Sequence, residues 1–123
     1  MELNILIVDD NREAAELFQE LLDMQGYDVR CAYNAQQALA MAAEAPAQVY
    51  LLDLTLPDMH GTELARKLKQ MAAGADAPLL IAVTGLSADG GNADDMAIFA
   101  HFLQKPVDFE KLERILADAA QGR

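Results

Sequence analysis

The sequence has one cysteine, no tryptophan and little positive charge. Cys31 has no second cysteine to pair with, so the 123-residue chain cannot form an internal disulfide, which favours a reducing compartment. The 9 basic residues are outnumbered by 20 acidic ones, which gives a formal net charge of -11. Nucleic-acid binding requires clustered lysine and arginine, and an anionic membrane surface repels an acidic chain. We therefore expect neither nucleic acid nor membrane among the partners of this domain.

Long apolar runs and a basic N-terminal segment are also absent. The N-terminus, MELNILIVDD, reaches acidic residues after a short apolar run, unlike a secretory signal peptide. No apolar run approaches the roughly 20 residues of a transmembrane helix. The sequence therefore predicts a cytoplasmic location and one domain over residues 1–123.

Short apolar runs alternate with segments of helical periodicity along the chain. The strand candidates are Leu3–Val8, Val29–Tyr33, Val49–Leu52, Leu79–Val83 and Phe102–Leu103. Between them, apolar residues recur at helical spacing, as in Leu64, Leu68 and Met71. Continuous apolar strands suit a sheet that is covered on both faces. The pattern predicts an α/β, flavodoxin-like (βα)5 fold, a doubly wound five-stranded parallel sheet in the order 2-1-3-4-5.

Polar residues follow most of the predicted strands at the point where each strand ends. Asp9 and Asp10 follow strand 1, Asp53 follows strand 3, Thr84 follows strand 4 and Lys105 follows strand 5. These strands are neighbours in the predicted order, so the side chains should converge at one edge of the sheet. Clustered carboxylates repel one another unless a proton or a cation offsets the charge, and oxygen ligands suit Mg²⁺. Carboxylates, a lysine and a hydroxyl together are typical of a phosphoryl-transfer site.

Each of these residues also has a structural interpretation. Asp9 and Asp10 could form an exposed acidic turn in which Asp10 or Asn11 caps the first helix. Asp53 alone could cap a helix, Thr84 could satisfy backbone groups at a strand end, and Lys105 could be a solvated surface charge. Their common position after neighbouring strands favours the site. His60, His101 and Asp58 lie outside this pattern and are interpreted as incidental or solvated.

Four segments, LIVDDN, DLTLPDMHG, VTG and FLQKP, resemble the receiver domain of two-component response regulators. The resemblance extends from Ile5 to about Ala120, nearly the whole chain. It implies a signalling domain that takes a phosphoryl group from a phosphohistidine of a histidine kinase or histidine phosphotransfer protein. Such a domain turns over no separate metabolite. The segments VDDNREAAE, VTG and KPVDFEKL are more similar to receivers of hybrid sensor histidine kinases than to those joined to DNA-binding domains.

The resemblance also implies roles for individual residues around the acidic cluster. Asp53 would be the phosphate acceptor. Asp10 and Asp53 would bind Mg²⁺ directly with the backbone carbonyl of Thr55, and Asp9 would act mainly through bound water. All of these residue types are present where the family pattern places them.

A second set of implied roles concerns the response to phosphorylation. Lys105 would pair with the phosphoryl group, and its peptide bond to Pro106 would be cis. Thr84 would move to bond the phosphoryl group while Phe102 turns inward to fill the space. Thr84 and Phe102 would thus form the switch of this domain.

The region before strand 5 departs from the family pattern. Residues 97–100 read AIFA, without the glycine that many receivers place at the end of helix 4, and the preceding LSADGGNADD favours loop. We therefore expect a short, displaced or mobile helix 4. This helix belongs to the helix 4–strand 5–helix 5 face, on which a downstream protein partner would bind.

Two other classes of protein remain as alternatives. A phosphatase of the haloacid dehalogenase type also uses an aspartate nucleophile and Mg²⁺, but it normally has a second acid two residues later, where this chain has Thr55. A pseudo-receiver keeps the fold as a protein-binding module and has lost phosphorylation. Loss of an acid or of the lysine would indicate a pseudo-receiver, and none is missing here. The chain could be a free-standing receiver or a piece of a larger protein.

Overall fold

Strands and helices alternate in a computed structural model that describes residues 3–72, 78–85, 97–105 and 107–121. In chain order the elements are β1 (Asn4–Val8), α1 (Arg12–Asp23), β2 (Asp28–Ala32), α2 (Ala35–Glu44), β3 (Val49–Asp53), α3 (Gly61–Met71), β4 (Leu79–Thr84), β5 (His101–Gln104) and a C-terminal helix (Phe109–Ala120). Each predicted strand is present, with ends that differ from the sequence-based limits by one residue or none.

The strands form one parallel sheet in the order β2-β1-β3-β4-β5, as predicted. Val8, the last residue of β1, lies opposite Ala32 of β2 and Leu52 of β3. Asp53, the last residue of β3, lies opposite Val83 of β4. This register places the carboxyl ends of β1, β3 and β4 side by side at one edge of the sheet.

Alternate residues of β1 enter two separate apolar clusters, one on each face of the sheet. Ile5 and Ile7 belong to the cluster that includes Leu22 of α1 and residues of the C-terminal helix. Leu6 and Val8 belong to the cluster that includes buried residues of α2 and α3, such as Leu64. Because both faces are covered, the inner strands β1, β3 and β4 are apolar at nearly every position, which explains their continuous hydrophobic runs.

Residues 97–100, the described part of the region before β5, form a turn and no helix. The amide of Ala100 donates to the carbonyl of Leu80 at 2.8 Å, so this turn leads directly into the pairing of β5 with β4. Phe99 is buried and meets the ring of Phe102 edge-on, with centroids 5.6 Å apart. The rest of the predicted helix 4 and the predicted cis bond at Pro106 lie outside the described residues.

Among the described residues, no helix is both long enough and apolar enough to cross a membrane.

Cys31 is half-buried in β2, where its thiol contacts the carbonyl of Ala15. Burial, aided by the charges of Glu16 and Asp23, raises the pKa of this thiol to about 11. Cys31 is therefore protonated at neutral pH, which is typical of an unreactive thiol that packs against its neighbours.

Candidate functional site

Lys105 meets two carboxylates at the carboxyl edge of the sheet. Its ammonium nitrogen lies 3.2 Å from Oδ2 of Asp53 and 3.4 Å from Oδ2 of Asp9. The Lys105 amide also donates to the carbonyl of Thr84 at 2.8 Å, which continues the β4–β5 pairing past the end of β5. The sheet thus brings together residues that are 52 and 96 positions apart in the sequence.

The two oxygens of the Asp53 carboxylate have different partners. Oδ2 faces Lys105, whereas Oδ1 accepts hydrogen bonds from the Thr55 amide at 2.9 Å and the Thr55 hydroxyl at 3.0 Å. Burial disfavours the charged form, but the hydrogen bonds from Thr55 and Lys105 outweigh it, so the pKa of Asp53 lies below its usual value. Asp53 is consequently a buried but ionised carboxylate at neutral pH.

Asp9 and Asp10 complete a cluster of three carboxylates. One oxygen each from Asp9, Asp10 and Asp53 lie within 4.8 Å of one another. Asp9 is buried and Asp10 is exposed. Burial raises the pKa of Asp9, and the negative charge of Asp53 adds to this effect, although the Asn11 amide and Lys105 oppose it. The cluster therefore holds more negative charge than Lys105 alone offsets, and its oxygen donors fit a hard divalent cation such as Mg²⁺.

Thr84 and Phe102 occupy different places relative to this cluster. Thr84 is buried at the end of β4, next to the strand that carries Asp53. Phe102 lies in β5 opposite Ala82 and packs partly buried against the apolar cluster of the α2–α3 face. Thr84 therefore lies at the predicted edge, whereas Phe102 lies two residues deeper along the β4–β5 pairing.

The loop from Leu54 to His60 connects Asp53 to α3 and is closed at its base. The Gly61 amide donates to the Leu54 carbonyl at 3.0 Å, and Thr55 forms an antiparallel bridge with His60. A Cβ atom on Gly61 would lie 2.7 Å from both the Asp53 carbonyl oxygen and the Leu54 Cα, so only glycine fits. The glycine that ends the DLTLPDMHG segment is the feature of the sequence from which such a close approach could have been predicted.

Two residues of this loop that sequence reasoning left outside the site form hydrogen bonds with neighbouring helices. His60 caps α3, because its Nδ1 accepts from the Thr62 amide at 3.2 Å. Asp58 reaches the start of α2, where its Oδ1 accepts from the Ala35 amide at 2.9 Å and its Oδ2 from the Gln36 amide at 3.0 Å. The interpretation of Asp58 as a merely solvated turn charge was therefore incomplete. Its partners are 22 and 23 positions away, so no local pattern could have revealed them.

Comparison with known proteins places this site in a family. The model of the family described as response regulator receiver domain matches residues 5–117. A solved structure of a response regulator receiver domain (CheY-like) from Methylobacillus flagellatus is 32% identical, with a TM-score of 0.84, over 96% of this chain and 98% of that one. The sensory/regulatory protein RpfC of Xanthomonas campestris is 30% identical over 96% of this chain and 16% of its own length.

A third comparison shows the same fold in a more distant protein. The response regulator TrrA of Thermotoga maritima, solved in complex with Mg²⁺-BeF, has a TM-score of 0.82 at 24% identity, over 96% of this chain and 98% of that one. The chain spans less than half the length of the curated relatives that head the sequence matches. The family match covers most of the chain and includes each residue of the acidic cluster and Lys105. This chain therefore belongs to the response regulator receiver domain family, the phosphoacceptor modules of two-component signalling, and the fold and family predicted from its sequence are confirmed.

Proposed function

We propose that Asp53 accepts a phosphoryl group from a phosphohistidine of a histidine kinase or histidine phosphotransfer protein. The observation that carries this proposal is the buried, ionised Asp53 carboxylate, with Lys105 3.2 Å from one of its oxygens. A carboxylate oxygen attacks phosphorus, and the new O–P bond forms as the P–N bond to the imidazole breaks. The electron pair of that bond stays on the imidazole nitrogen. The product is an acyl phosphate on Asp53 and an unmodified histidine on the donor.

Lys105 and Thr84 act on the transferred group. In the unphosphorylated protein the Lys105 ammonium is shared between Asp53 and Asp9. A phosphoryl group adds roughly -1.5 to -2 charges at neutral pH, so the ammonium gains a stronger partner, and the Thr84 hydroxyl gains an acceptor. Because these contacts exist in one state only, phosphorylation shifts the population toward a conformation in which Thr84 has moved and Phe102 fills the vacated space.

The acidic cluster fits a role in holding Mg²⁺. Asp10, Asp53 and the backbone carbonyl of Thr55 would hold the ion, and Asp9 would contact it mainly through water. When bound, the ion neutralises charge that develops on the phosphoryl oxygens. The oxygen donors of three clustered acids and the raised pKa of Asp9 support this assignment. So does the Mg²⁺-BeF complex of the structurally similar TrrA.

The wider role of the chain follows from the family. We infer one receiver domain over residues 1–123 of a cytoplasmic protein, which catalyses only its own phosphorylation and slow dephosphorylation. The face formed by the predicted helix 4, β5 and the C-terminal helix is the proposed site for a downstream protein partner. The similarity to RpfC, which is named a sensory/regulatory protein, supports a place among receivers of hybrid sensor kinases.

Phosphorylation by a small-molecule donor tests the acceptor assignment. Incubation with acetyl phosphate and Mg²⁺ should add one phosphoryl group per chain, measured by intact mass, and Asp53→Asn should abolish the addition. Asp118 is an exposed aspartate of the C-terminal helix, so Asp118→Asn is the matched control and should be labelled like the wild type. Full labelling of the Asp53→Asn variant would refute the assignment. Multiple turnover of a small phosphate ester would favour the haloacid dehalogenase alternative instead.

A further inference from the structure

Asp58 is an exposed carboxylate in the loop between β3 and α3, and it bonds to a different element of the fold. Both of its oxygens accept backbone amides in the first turn of α2, at 2.9 Å from Ala35 and 3.0 Å from Gln36. Asn34 caps the same turn locally by accepting from the Gln37 amide at 2.7 Å. The first-turn amides of α2 are thus satisfied by two residues, one from its own chain segment and one from the loop that follows Asp53.

The loop that carries Asp58 also carries Thr55, which holds Asp53. Its base is closed by the Gly61–Leu54 hydrogen bond and the Thr55–His60 bridge, both immediately beside Asp53. Its apolar side is anchored by the buried side chains of Leu54 and Leu56. Asp58 supplies a polar attachment on the outer part of the loop, and α2 is itself fixed to the sheet through its buried alanines.

We propose that Asp58 is a positioning residue for phosphoryl transfer: it ties the loop to α2 and so holds Thr55 against Asp53. This inference rests on the proposed function of Asp53. Thr55 donates two hydrogen bonds to a single Asp53 oxygen, and a small displacement of the loop lengthens both. Without Asp58 the two hydrogen bonds from Thr55 hold the Asp53 carboxylate less firmly, and the loop carbonyl assigned to the metal site shifts with the loop.

Two alanine variants separate positioning from simple stability. Asp58→Ala removes the attachment of the loop to α2, whereas Asn34→Ala removes a cap of the same helix turn and leaves the loop bonds in place. Both should lower the free energy of unfolding. Only Asp58→Ala should slow phosphorylation by acetyl phosphate at saturating Mg²⁺, by about 10-fold, the lower end of the range for residues that orient site groups. Asp58→Asn keeps one carbonyl acceptor and should fall between Asp58→Ala and the wild type.

Amide hydrogen exchange in metal-free protein provides a readout that does not depend on phosphorylation. In Asp58→Ala the amide of Thr55 should exchange about 10-fold faster, equivalent to the net contribution of one hydrogen bond. In Asn34→Ala it should exchange as in the wild type. Equal phosphorylation rates in Asp58→Ala, Asp58→Asn and wild type, or an unchanged Thr55 exchange rate in Asp58→Ala, would overturn the inference. A wild-type protein that takes up no phosphoryl group would instead count against the proposed function of Asp53.

Discussion

Replacement of Gly61 by alanine tests how tightly the loop after β3 is packed against the phosphoacceptor. The added Cβ would lie 2.7 Å from the Asp53 carbonyl oxygen and 2.7 Å from the Leu54 Cα, and 2.9 Å from a methyl group of Leu54. The first two contacts are with backbone atoms, so no side-chain rotation can relieve them. The loop or the first turn of α3 must therefore move, at a contact that includes the backbone of Asp53.

The expected cost of Gly61→Ala combines two opposing effects. Overpacking of a tight interior contact costs about 1–3 kcal/mol. Alanine is favoured over glycine in a helix by up to about 1 kcal/mol, and Gly61 is the first residue of α3. The net expectation is a loss of about 1–2 kcal/mol in the free energy of unfolding, or a Tm lower by about 4–8 °C for a domain of this size.

Gly85→Ala is the matched control, because a Cβ on Gly85 would meet nothing within 4 Å. This variant should be as stable as the wild type or up to about 1 kcal/mol more stable, since alanine lowers the entropy of the unfolded chain. Urea denaturation of both variants in metal-free buffer measures the difference, and labelling by acetyl phosphate shows whether Gly61→Ala also impairs Asp53. Equal stability of the two variants would refute the packing argument.

Two further variants test the electrostatics of the site. The raised pKa of Asp9 means that the fold disfavours its charged form, so Asp9 lowers stability at neutral pH and this cost disappears as pH falls through its raised pKa. Metal-free Asp9→Asn should therefore be more stable than the wild type at pH 7, and the difference should become smaller at acidic pH. The variant should also bind Mg²⁺ more weakly. Urea denaturation across this pH range measures the difference, and a variant less stable than the wild type at pH 7 would contradict the argument. Lys105→Ala should leave the fold intact but reduce the amide chemical-shift changes that phosphorylation produces, and unchanged shifts would remove Lys105 from the mechanism.

The local sequence pattern predicted the position of Asp53 in the fold but not its hydrogen-bond partners or the direction of its pKa shift. Its position at the end of an apolar run predicted the end of a buried strand, and β3 does end at Asp53. That its two oxygens are divided between Thr55 and Lys105 follows from the loop conformation and the sheet register, which a linear pattern does not encode. The direction of its pKa shift depends on those hydrogen bonds, because burial alone would have raised it.

Sequence reasoning missed Asp58 and His60 for two different physical reasons. Asp58 looked like a turn charge because its hydrogen-bond partners, Ala35 and Gln36 at the start of α2, precede it by more than 20 residues. The His60 cap is local, but histidine is not among the residue types that usually signal a helix start, so its role passed unnoticed.

Hydrophobic periodicity determined the element order and the parallel sheet, because strands covered on both faces leave short apolar runs between amphipathic helices. The strand order was predicted from the topology usual for five such units. The sequence also placed the acidic residues and the lysine at strand ends, and topology then required them to share an edge. Only the tertiary structure decided the distances among Asp9, Asp53 and Lys105, the opposite pKa shifts of the two acids and the bond from Asp58 to α2. These distances, pKa shifts and hydrogen bonds are set by the separation and direction of groups from distant segments. Coulomb energy falls with separation, and a hydrogen bond weakens steeply as its geometry departs from the ideal.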